Sequence, residues 1–104
     1  MARRELRESD VESYLVAQVL ALRGEVRKVK WIGRNSAPDR VVMLPTTPCI
    51  WVELKAPGGL ATFPKNAHEE AQHREHERMR KVGQRVEVID SHAGVNRLLE
   101  PRHA

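Results

Sequence analysis

One cysteine in 104 residues leaves no internal disulfide to be made and fits a reducing compartment. That residue, Cys49, stands in an apolar stretch and reads as a small core side chain rather than a reactive thiol. No run approaches the ~20 consecutive apolar residues that a membrane-spanning helix needs. The basic start, Met1-Ala2-Arg3-Arg4, leads into no apolar signal region, so export is not expected and the chain reads as cytoplasmic. The five histidines, His68, His73, His76, His92 and His103, form no HExxH pattern, and no CxxC pair exists, so structural zinc is not expected. Gly58-Gly59 lacks the surroundings of a phosphate loop and reads as a turn. There is no internal repeat and no low-complexity tract. At this length the chain, residues 1–104, reads as one domain with no room for a separate recognition module.

Charge is plentiful and unevenly placed. The formal net charge is +4. Between residues 23 and 40, six cations (Arg23, Arg27, Lys28, Lys30, Arg34 and Arg40) face only Glu25 and Asp39, a surplus equal to the whole net charge. Such a band suits a polyanion, because neutralised phosphates supply most non-specific nucleic-acid affinity. A solvated strand and loop would carry the same charges.

Periodicity gives the elements in the order α, β, β, β, α, β, α. Ser9-Asp10 followed by Glu12 reads as a capped helix start, and the helix should stop at Gly24. Val11, Leu15, Val16, Val19, Leu20 and Leu22 share one broad arc, with Glu12 in its middle. Glu12 is therefore either half of a capping box or a costly core-facing carboxylate that needs a partner or a metal. Residues 25–31 alternate as an exposed or edge strand. Strands follow at about 39–44 and 49–55, joined by Pro45-Thr46-Thr47-Pro48. A highly charged helix spans 67–82, a short strand 86–89, and a last helix, capped by Ser91, runs to Leu99. This is an α/β pattern of helices packed on a sheet.

Two short motifs on adjacent strands carry the chemistry. Thirteen residues separate Asp39 from Glu53. Side chains alternate along a strand, so Glu53 and Lys55 share a face while Ile50, Val52 and Leu54 take the other. Two neighbouring strands can thus bring two carboxylates and one ammonium together, the set used to hold a divalent cation beside a phosphodiester. Asp39 follows Pro38, which biases it toward extended backbone. Lys55 could orient or deprotonate a water, or stabilise charge on the phosphorane oxygens. Gln72 shares a helical stripe with His68, His76 and Met79 and can face the sheet.

Glu12, Pro38-Asp39, Glu53-Leu54-Lys55 and Gln72, in this order, resemble the motifs of the PD-(D/E)xK nucleases and, among them, the VRR-NUC domain. The resemblance runs over nearly the whole chain. It implies a restriction-endonuclease-like fold, a mixed β-sheet flanked by helices around an αβββαβ core. It further implies that Glu12, Asp39 and Glu53 hold Mg²⁺ or Mn²⁺ with the backbone carbonyl of Leu54, that Lys55 serves the water, and that Gln72 supports the constellation. Arg27, Lys28, Lys30, Arg34 and Arg40 would then meet DNA. Stand-alone VRR-NUC proteins look like homodimeric enzymes of phages and bacteria that cut branched DNA, four-way (Holliday) junctions included, leaving a 5′-phosphate and a 3′-hydroxyl. Two rivals stay open: a nicking or restriction-type duplex endonuclease, and a non-catalytic DNA-binding subunit.

Overall fold

Aliphatic residues at every fourth position start the fold. In the computed structural model, which describes residues 6–101, α1 spans Glu8–Ala21 and buries Val11, Leu15 and Val19 completely. Each such side chain contributes about 1.5–3 kcal/mol by leaving water. The buried stripe is narrower than the sequence arc: Val16 is half-buried and Leu20 and Leu22 are exposed. A helix laid on a sheet is covered only along the i, i+4, i+8 line, and its flanks stay wet.

The helix also begins earlier than expected. Arg7 takes the N-cap position, and its N–H donates to the Asp10 carboxylate at 2.7 Å, the reach-back contact of a capping box. Ser9 and Glu12 therefore do not cap it. At the other end the left-handed residue is Arg23, with φ 65°. Gly24 is required for a different reason: a Cβ there would lie 2.4 Å from the Met43 carbonyl oxygen and 2.8 Å from Val19.

Four strands follow: β1 (Glu25–Lys28), β2 (Arg40–Leu44), β3 (Thr47–Leu54) and β4 (Arg85–Ile89). They lie in sheet order β1-β2-β3-β4. The first three pair antiparallel and β4 joins β3 in parallel, so the sheet is mixed as expected. β1 is an edge strand and ends at Lys28, short of the expected 31. The β2–β3 turn needs only Pro45-Thr46, so Thr47 and Pro48 already belong to β3. Cys49 is half-buried rather than a core residue.

A parallel pair needs a crossover. Here it carries α2 (Ala67–Lys81), capped by Asn66, whose side chain accepts the Glu69 N–H at 2.9 Å. Helix α3 (His92–Leu99) closes the chain, with Ser91 capping through the Gly94 N–H at 2.9 Å. Alternation along β3 then separates two environments. Ile50, Val52 and Leu54 meet α1 and α3 in the aliphatic core, joined by Val42, Ile89, Val95 and Leu98. Glu53 points to the opposite face, toward α2. No helix among the described residues is long and apolar enough to cross a membrane. The basic start and His103 lie outside the described residues.

Candidate active site

The end of β3 is where the two motifs meet. β2 begins at Arg40, opposite Val52, so Leu54 lies beyond the last rung of that ladder. The Asp39 side chain takes the place of a backbone partner: its Oδ2 accepts the Leu54 N–H at 2.8 Å. The N–H and C=O of one strand residue lie on the same edge, so the Leu54 carbonyl faces the Asp39 side as well. The backbone of Asp39 is fixed too, its carbonyl accepting the Val29 N–H at 2.9 Å and the Arg40 Nη1 at 2.9 Å. Pro38 just before it is fully buried.

Glu53 is 1% exposed. Its carboxyl accepts from Gln72 Nε2 at 3.3 Å and meets His76 Nε2 at 3.2 Å. Burial, then the hydrogen bond and charge of Asp39, push its pKa up to about 9, with Lys55 opposing. Glu53 therefore retains its proton at neutral pH while nothing else compensates the charge beside Asp39. His76 is fully buried and moves the other way, lowered to about 4 by burial first and then by Arg80. A neutral ring has one donor and one acceptor. Placing its proton on Nε2, toward Glu53, leaves as acceptor the buried Nδ1, which has no partner among the described residues.

Lys55 sits on the same face as Glu53. Its Nζ donates to Gln72 Oε1 at 2.9 Å, lies 3.1 Å from Glu69 and stands 5.1 Å from the centre of the Phe63 ring. Gln72 thus spans the site, its NH₂ toward the carboxylate and its oxygen toward the ammonium. A side-chain amide has one donor end and one acceptor end, so it satisfies both neighbours at once. Phe63 stacks on His76 with centroids 5.8 Å apart and roofs the group.

Asp39, Glu53, Lys55 and Gln72 are therefore brought together. Glu12 is not joined to the pair directly; its carboxylate pairs with Arg40 Nη2, and the other arm of that guanidinium holds the Asp39 carbonyl. Among the described residues no three His, Cys, Asp or Glu side chains converge as a ready metal cage. A donor set of two carboxylates and a backbone carbonyl nevertheless suits a hard divalent cation that keeps most of its waters. Of the five cations assigned to DNA, two have internal anions: Arg40 has Glu12, and Arg34 lies 2.7 Å from Glu75. Arg27 forms an exposed pair with Glu25 at 3.2 Å. Lys28 and Lys30 are exposed and carry no ion pair among the described residues.

Glu69, His76 and Phe63 also belong to this network, although no motif marks them. The expected Gln72 stripe included His68, whereas His68 is exposed and Glu69 faces inward. The legible signal was the 69-72-76 spacing, a polar stripe on one helical face. Burial does not protonate Glu69: although desolvation opposes it, the Lys65 N–H and Lys55 hold its carboxyl below the usual carboxylate range.

No family model matches the sequence. A protein of Acyrthosiphon pisum secondary endosymbiont phage 1, named "Putative nuclease p44", is 40% identical over 86 residues, 83% of this chain and 85% of that protein. A solved structure described as a VRR_NUC domain superposes with a TM-score of 0.73 at 35% identity, covering 92% of this chain and 97% of that one.

Proposed function

The chain belongs to the VRR-NUC family, and from that premise we propose that it is an endonuclease hydrolysing DNA phosphodiester bonds with Mg²⁺ or Mn²⁺. One observation carries the reading: Glu53, 1% exposed, is bridged by Gln72 to Lys55 on the same strand face, while the Asp39 carboxylate holds the backbone of the next residue, Leu54. Two carboxyls so placed are electrostatically short of a cation.

Asp39, Glu53 and the Leu54 carbonyl would hold the ion, which when bound supplies Lewis-acid charge and a water of lowered pKa. Glu12 stands one guanidinium away, tied to Asp39 through Arg40. An ammonium has three hydrogens. Lys55 directs one to Gln72 and one to Glu69, which leaves a third for a phosphate oxygen as charge grows on it. Gln72 keeps Glu53 and Lys55 in register. Phe63 and His76 exclude bulk water from the closed side of the pair, which strengthens each of these interactions. The products are a 5′-phosphate and a 3′-hydroxyl.

Branched DNA, four-way junctions in particular, is the proposed substrate, and the active form a homodimer. One site cuts one strand, symmetric resolution needs two, and isologous pairing supplies the second without added sequence. Exposed Lys28 and Lys30 on the edge strand and the loop after it support a surface that reads phosphate geometry rather than base sequence. The deciding experiment is cleavage of matched linear, flap and four-way substrates with Mg²⁺, Mn²⁺ or chelator, beside light scattering at micromolar concentration. Metal-dependent incision symmetric about the branch is expected. Cleavage unaffected by chelator would remove the metal reading, and a monomer cutting linear and branched DNA equally would remove the junction reading.

A further inference from the structure

Between β1 and β2 the chain makes a loop that is pinned at its base and on both flanks, yet holds an isoleucine out at its tip. The base is closed by the Val29 N–H on the Asp39 carbonyl at 2.9 Å. The flanks converge on one buried carboxylate of α2: Glu75 accepts from Trp31 Nε1 at 2.8 Å and from Arg34 Nη2 at 2.7 Å. Trp31 also packs on Trp51, with ring centroids 5.7 Å apart. Between these two clamped residues Ile32 is 99% exposed, more than any other large hydrophobic side chain described. Gly33 beside it turns at φ +86°, with nothing within 4 Å of the place a Cβ would take. A loose loop would fold such a side chain onto the nearest apolar surface. Here fixed hydrogen bonds on either side keep it in water, so its exposure is a property of the fold. Its neighbours are cationic: Lys28 and Lys30 precede it, exposed and without ion pairs among the described residues.

We propose that Ile32 is a wedge that enters the base stack of the DNA held at the Asp39–Glu53 site, an inference that rests on the nuclease reading above. Apolar side chains unstack a base step by entering it from the groove, while cations beside them hold the phosphates. The charge around Ile32 is of the sign that DNA requires. The loop ends in Asp39 itself, so the step that Ile32 opens lies at a fixed register from the phosphate presented to the carboxyl pair. Steps already weakly stacked, at branch points and mismatches, yield most easily, which makes the wedge the element that selects DNA shape.

The test uses the full chain and a four-way junction carrying 2-aminopurine at the branch point, bound without divalent cation. Wild-type protein raises the fluorescence severalfold, and Ile32→Ala does not. The variant keeps the wild-type melting temperature, because the side chain lies in water, and keeps the slope of log affinity against log salt, because no charge is removed. With Mg²⁺, Ile32→Ala cuts the intact junction at least tenfold more slowly, yet matches wild type when the branch point is replaced by an unpaired bubble. An equal fluorescence rise in both proteins, or none in bound wild type, overturns the wedge. So does a dimer that becomes monomeric on Ile32→Ala, which would assign the side chain to an interface between copies. A fluorescence rise that depends on Ile32, in a wild-type protein that cleaves nothing, upholds the wedge and removes the nuclease reading instead.

Discussion

Raising the pH of the metal-free protein should destabilise it, and Glu53→Gln should abolish the effect. The folded protein holds a proton on Glu53 up to about 9, whereas the unfolded chain releases it near 4.5. Between those values the folded state binds more protons, so stability is lost as pH rises, by about 1.4 kcal/mol per unit. His76 acts in the opposite sense but lower down, because it is about 4 when folded and 6.5 when unfolded. Its burial makes stability rise with pH up to the unfolded value and contributes nothing above it. From pH 6.5 to 8.5 Glu53 is thus the one of the two that titrates against folding, at a cost of roughly 3 kcal/mol. In a domain of this size that lowers the melting temperature by on the order of 10–20 °C. Glu53→Gln keeps the shape and a donor toward Asp39 but has nothing to ionise, so its melting temperature should stay level over the same range. Added Mg²⁺ should rescue wild type more at pH 8.5 than at 6.5, because the ion competes with the proton, and should not rescue the variant. Calorimetric scans of both proteins at several pH values, with and without Mg²⁺, make the comparison. A wild-type melting temperature as level as the variant's, or one that climbs from pH 6.5 to 8.5, would refute the assignment of this proton to Glu53.

Lys55→Ala and Glu53→Ala should each abolish metal-dependent cleavage while junction binding, measured by mobility shift, largely survives; near-normal turnover by either folded variant would rule out the site. Junction affinity should fall steeply with salt, and removing Lys28 or Lys30 should flatten the log–log slope by ~0.9 for each phosphate no longer neutralised, equally for all sequences. Glu75→Ala should cost about 1–3 kcal/mol in denaturant melts, since it strands the Trp31 indole and loosens the loop from α2. Leu15→Ala should cost about 2–5 kcal/mol by opening a cavity between α1 and the sheet, with cleavage per folded molecule unchanged.

The order of elements, the edge position of β1 and the shared face of Glu53 and Lys55 were all legible in the chain before any packing was known. Each follows from local rules: a period of 3.6 or 2, glycine and proline at the breaks, and Ser91 ahead of the last helix. Gly24, read as the stop of α1, lies beyond its end at Ala21 and owes its identity to something no local rule contains, the Met43 carbonyl of a neighbouring strand. Which polar residues of α2 face inward was settled by packing. Stripes through 68-72-76 and through 69-72-76 are equally helical, and only the packing of α2 in the folded chain buries Glu69 and exposes His68. Packing also gave Arg34 and Arg40 carboxylate partners inside the protein, and set Glu12 against Arg40 rather than the end of its own helix. The proton held by Glu53 belongs to the same category. A strand pattern can put two carboxyls on neighbouring strands, but how far each is buried, and what lies within hydrogen-bond reach, depends on distances that exist only once α2 has closed over the sheet.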